Sequence, residues 1–140
     1  MSTVINGTNG EITPLATFTG TTSNLGISLI SGIEKVTISA TAATGTINYD
    51  VTTQSNLYYT DNAAANWTIN FRGSSGTSMN TMMAIGDSTT VVHMVTQGGT
   101  AYYNNAVQVD GSSVTPEYQG GTAFSAGNAN SIDVYVYVII

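Results

Sequence analysis

The chain ends Ile132-Asp133-Val134-Tyr135-Val136-Tyr137-Val138-Ile139-Ile140. Every second residue is aliphatic, which is the period of a β-strand. Ile132, Val134, Val136, Val138 and Ile140 share one face, and Asp133, Tyr135, Tyr137 and Ile139 share the other. Both faces turn apolar toward the end, as expected of a strand buried on both sides. The sequence stops inside this apolar run, so either the strand is pinned in the middle of a sheet or the polypeptide continues past Ile140.

The same alternation recurs upstream. Val36, Ile38 and Ala40 share a face, as do Ile47, Tyr49 and Val51, then Trp67, Ile69 and Phe71, then the run Thr89 to Thr96. Ala106 to Val109 leads into Asp110-Gly111, a tight-turn dipeptide expected to close a hairpin onto Val114. Turn residues return roughly every eight to twelve positions, the spacing of a sandwich or barrel. No stretch shows a 3.6-residue apolar period; Asn62-Ala63-Ala64-Ala65 reads equally as a helical turn or a loop. The pattern predicts an all-β protein, a two-sheet antiparallel β-sandwich of jelly-roll type. Residues 26–140 read as one sandwich domain. Residues 1–25 are rich in Thr, Gly and Asn and read as an anchor arm, an exchanged strand or the first edge strands.

Charge is scarce. The 140 residues include two basic side chains, Lys35 and Arg72, against eight acidic ones, for a net charge of −6. Charged residues make up 7% of the chain, against about 25% in an ordinary soluble domain. Phosphate binding needs clustered Lys and Arg, so nucleic acid is not an expected partner, and anionic membrane surfaces are disfavoured for the same reason. No apolar run approaches the ~18 residues of a membrane span, and Met1 to Gly7 carry neither part of a secretory signal. Cysteine is absent, which removes disulfides and thiolate metal sites. Sheet edges are usually blunted with Lys or inward charges, and almost none are available here. Edges and faces are therefore expected to pack against further copies of the chain, with a symmetric homotrimer as the favoured form.

Few residues offer chemistry. His93 is the sole histidine; with no second His and no Cys to complete a metal set, it reads as a half-buried strand residue bonded to a backbone or hydroxyl group. The carboxylates Asp50, Asp61, Asp87, Asp110, Glu117 and Asp133 are scattered, and nothing pairs them as glycoside hydrolysis requires. Asp50 and Asp133 fall within strands and are expected to be hydrogen-bonded structurally. No nucleophile elbow or phosphate loop occurs. No enzymatic activity, metal or cofactor is expected. Arg72 is expected to pair with a carboxylate, and with Lys35 it is a candidate for an ion pair between subunits. Tyr58-Tyr59 and Tyr102-Tyr103 each place one ring inward and one outward if they lie on strands. Beside Asn, Gln and Thr, such rings suit glycan stacking or subunit contact.

The C-terminal half carries a resemblance. The segments Val107-Gln108-Val109-Asp110-Gly111, Tyr118-Gln119-Gly120-Gly121-Thr122-Ala123 and Gly127-Asn128-Ala129-Asn130-Ser131-Ile132-Asp133-Val134-Tyr135 resemble a module of virion structural proteins from tailed phages of marine bacteria, notably cyanobacteria. Trp67 to Gly73 and Met82 to Val95 fit the same module, so the resemblance covers about residues 55–140. Members commonly continue past the apolar strand with an Ile-Lys-Thr-like tail, which this sequence lacks. The resemblance implies a non-enzymatic virion component, fibre-like or decorating the capsid or tail. Such a protein is made in the host cytoplasm and displayed on the outer surface of the particle. Its expected partners are its own copies, other virion proteins and a host surface glycan. A carbohydrate-binding receptor-recognition tip using Tyr58, Tyr59, Tyr102 and Tyr103 is the alternative.

Overall fold

A computed structural model of the chain describes residues 34–140; the expected N-terminal arm, residues 1–25, lies outside them. The described residues are all-β, in two four-stranded sheets. In chain order the strands are β1 (Val36–Ala42), β2 (Gly45–Asp50), β3 (Asn56–Asp61), β4 (Trp67–Arg72), β5 (Thr89–Thr96), β6 (Asn104–Val109), β7 (Ser112–Val114) and β8 (Ile132–Ile139). One sheet has the order β1-β3-β5-β8 and the other β2-β4-β6-β7.

From β1 to β6 consecutive strands alternate between sheets, so this part of the chain winds rather than folding back on itself. β1–β3, β3–β5, β2–β4 and β4–β6 pair parallel; only β5–β8 and β6–β7 pair antiparallel. This corrects the expected antiparallel, jelly-roll-like arrangement. Parallel neighbours need a crossover connection, and here each crossover runs through the opposite sheet. The cause lies in the corners. Ala43 and Thr44 separate β1 from β2, a hairpin-sized link, yet Ala43 is wholly buried and the chain turns through it into the second layer. Successive corners bond to one another: Ala64 N donates to Ala43 O at 3.0 Å and Ala63 N to Thr96 O at 2.9 Å. Three turns of chain stack in this way, and the antiparallel β7 and β8 close the stack. The Asn62–Ala65 segment is one of these corners and not helical. A short α-helix, α1 (Met79–Met82), lies in the return from β4 to β5.

The Asp110-Gly111 turn forms as expected. Both residues have positive φ, 50° and 79°, the two-residue geometry that matches strand twist. Asp110 also accepts from Met79 N at 2.8 Å, which fastens the hairpin to the start of α1.

The core lies between the sheets. Trp67, Ile69 and Phe71 of β4 face Val91, His93 and Val95 of β5, with Tyr49 beside them, all essentially buried. Rings interlock edge to face, Trp67 with Tyr135 at 5.7 Å and Phe71 with Tyr137 at 4.9 Å between centroids. The Tyr49 hydroxyl crosses the layers to donate to Ser55 O at 2.6 Å, and burial pushes its pKa up to about 12.

β8 departs from expectation. It forms the edge of its sheet, with Asp133, Tyr135 and Tyr137 turned inward. Its aliphatic set, Ile132, Val134, Val136 and Val138, faces out and is exposed among the described residues.

Candidate functional site

Gly127, Asn128 and Asp133 of the C-terminal segment converge on one structure, a clamp at the rim of the sandwich centred on Asp133. The Asp133 carboxylate is buried and accepts from Gln97 Nε2 at 3.0 Å, Asn128 N at 3.1 Å and Asn128 Nδ2 at 2.6 Å. Gln97 meanwhile donates to Tyr102 O at 2.7 Å and accepts from Tyr102 N at 2.9 Å. The corner after β5, the approach to β6 and the segment before β8 are thereby tied to a single carboxylate. A buried carboxylate is tolerable because its lone pairs are occupied by donors.

Gly127 is required by this packing. A Cβ there would stand 2.1 Å from Tyr102 O and 2.8 Å from Asp133 Oδ2. Asn130 takes a positive φ of 55° and donates from its backbone to Gly98 O at 2.9 Å. Asn is one of the few side-chain-bearing residues that enters this region readily.

Between the hairpin and this clamp, residues 115–126 lie beside β8. The Tyr118 and Phe124 rings meet edge to face at 5.3 Å, and Phe124 meets Tyr135 at 5.2 Å. They form one wall of a groove of about 380 Å³; Glu117, Gln119 and Thr122 supply its polar groups, and Val134 and Val136 its floor.

The tyrosines singled out from sequence do not meet there. Tyr58 and Tyr59 lie on β3 and point to opposite faces, as expected. Tyr58 is half-buried on the outer face with its hydroxyl 3.0 Å from Thr96 Oγ1. Tyr59 packs against the core with its ring edge-on to His93 at 5.6 Å. Tyr102 and Tyr103 precede β6 and are not on a strand. Tyr102 leans on the core, and Tyr103 N donates to Asn66 Oδ1 at 3.0 Å. The aromatic groove uses Tyr118 and Phe124 instead. Its only sequence signal was the aromatic residue opening the Tyr118-Gln119-Gly120-Gly121 segment.

His93 is wholly buried rather than half-buried, and neither ring nitrogen finds a hydrogen-bond partner among the described residues. Its ring is enclosed by Trp67, Tyr59 and Tyr135, and desolvation lowers its pKa to about 4. A neutral imidazole without access to solvent is core material. Arg72 does find its carboxylate, but in its own chain: Nε donates to Asp50 Oδ1 at 2.5 Å on the adjacent strand. That hydrogen bond holds the Arg72 pKa above its ordinary value. Lys35 is exposed immediately before β1. Among the described residues no three His, Cys, Asp or Glu side chains group as a metal site, and no helix is long and apolar enough to cross a membrane.

No family model, curated protein or solved structure matches this chain.

Proposed function

We propose that the protein is a non-enzymatic structural component of a tailed-phage virion, a fibre-like or decorating unit on the outer surface of capsid or tail. In this reading it works as a homotrimer, stabilises the particle and presents a surface to the host. The observation that supports this most is how the phage-like motif is used. Gly127, Asn128 and Asp133 spend their shape and bonding capacity on one another and on Gln97 and Tyr102. A motif employed to lock a rim belongs to a scaffold, and many copies on one particle turn weak contacts into avidity. Mass spectrometry of purified virions is expected to find the protein in stoichiometric amounts; its absence from intact particles refutes the proposal.

A glycan-binding tip is favoured by one observation, the Tyr118–Phe124 groove with Glu117, Gln119 and Thr122 as its hydrogen-bonding groups. Stacking of a sugar on either ring would make Tyr118→Ala abolish adsorption to host cells while assembly persists.

A further inference from the structure

The two sheets have opposite outer faces. On the β2-β4-β6-β7 sheet the outward residues are Thr46, Asn48 and Asp50 beside Thr68, Asn70 and Arg72, with Gln108 following. They bond among themselves, Asn70 Nδ2 to Asn48 Oδ1 at 2.8 Å and Arg72 to Asp50. That face is polar, and Asn70 is buried within it, accepting from Gly111 N at 2.9 Å. On the β1-β3-β5-β8 sheet the register aligns Val36 and Ile38 with Asn56 and Tyr58, these with Val92 and Met94, and these with Val136 and Val134. Val134, Val136 and Val138 are 58, 60 and 64% exposed, and Ile38 is 58% exposed.

The inversion is clearest on the edge strands. β1 aligns Thr37 and Ser39 with the inward-facing Leu57 and Tyr59 and turns its Val and Ile to the other side, although Thr37 is itself exposed. β8 turns Asp133, Tyr135 and Tyr137 inward and its valines outward. Both strands thus give the more aliphatic set to the outside. The exposed aliphatics of this face, Val36, Ile38, Ile132, Val134, Val136 and Val138, stand on its two edge strands, with Asn56, Tyr58, Val92 and Met94 between them.

We infer that this outer face is the surface on which copies of the same chain pack. The inference rests on the oligomeric reading above and assigns it a location. Charge argues for a like partner. The chain carries a net −6, yet no charged side chain stands in the outward rows of the four strands; Glu34 and Lys35 lie at the margin where β1 begins, and Glu117 borders Val134 and Val136. Two copies can therefore approach through this face without opposing their acidic groups, whereas a charged partner finds nothing there to pair with. Neutral aliphatic faces pack sheet on sheet by interdigitation at about 10 Å. Three such faces, each about 15 Å across four strands, enclose an apolar core around a three-fold axis.

The full chain tests this by sedimentation velocity from about 1 to 100 µM, as wild type and as Val136→Glu. Wild type is expected to sediment as an oligomer. Val136→Glu is expected to raise the dissociation midpoint at least a hundredfold while far-ultraviolet circular dichroism is kept, because position 136 faces away from the core. Since the chain has no cysteine, Val136→Cys adds a unique thiol, expected to react with maleimide slowly when assembled and fast after dilution. Three results overturn the inference: a monomer at every concentration, a Val136→Glu chain that assembles as wild type, or a monomer whose introduced thiol is protected. The last would show residues 1–33 of the same chain covering the face. A dimer that Val136→Glu dissociates upholds the interface and refutes the trimer; virion composition tests the phage reading separately.

Discussion

Acidification from pH 7.5 to 5 is expected to cost the folded chain about 2 kcal/mol through His93 alone. The ring is enclosed by Trp67, Tyr59 and Tyr135, and burial lowers its pKa to about 4, whereas an unfolded histidine titrates near 6.5. As pH falls the unfolded chain takes the proton first, so stability is fully present above about 6.5 and is lost on the way to 4. The whole window is worth about 3 kcal/mol, and roughly two-thirds of it is spent by pH 5.

His93→Leu separates this effect from other titrations. Leucine has nearly the volume of histidine and no polar atoms, so it also removes two buried nitrogens without partners among the described residues, each costing about 1–3 kcal/mol. The variant is expected to be at least as stable as wild type at pH 7.5 and to show no histidine-dependent loss down to pH 5. Urea unfolding can be followed through Trp67, the single tryptophan and 1% exposed. Protein concentration must be held fixed, because any self-association adds to apparent stability. Carboxylate titration below pH 5 is common to both chains and cancels in the difference. Parallel loss of stability in wild type and His93→Leu between pH 7.5 and 5 refutes the reasoning.

Gly127→Ala drives a Cβ into the Tyr102 carbonyl and is expected to cost about 2–3 kcal/mol, read as a lowered thermal midpoint; Gly99→Ala, which meets open space, should leave it unchanged. Asp133→Asn keeps the shape of the clamp but weakens three accepted hydrogen bonds. A loss of about 2 kcal/mol is expected, with faster protease cleavage within residues 115–131. Arg72→Ala removes a part-exposed ion pair made within one chain and is expected to change stability by less than about 1 kcal/mol and sedimentation not at all.

Alternation along the sequence located most strands because a half-buried strand must alternate. It failed for β3, Asn56-Leu57-Tyr58-Tyr59-Thr60-Asp61, where the two adjacent tyrosines make both faces aromatic and erase the period. Four-residue α1 is too short to show a helical period at all. Strand direction was hidden for a different reason: the Ala43-Thr44 link has the length of a hairpin, and only its burial against the next corner reveals a crossover. The clamp was equally hidden, since Asp133 meets Gln97 across 36 positions of sequence.

A period of two says that a strand has unlike faces without saying which one is inside, and β8 shows the consequence. Its valines read as core, yet the tyrosines occupy the core because Trp67 and Phe71 offer them edge-to-face partners and Asn104 Oδ1 accepts from the Tyr137 hydroxyl at 2.8 Å. The valines are then left outside on the same face as Val36 and Ile38. Polar residues were available to this chain in abundance and were used on the opposite sheet, so scarcity of polar side chains does not account for the apolar face. The inferred burial by a like face would account for it, and position 136 is where that inference is most exposed to test.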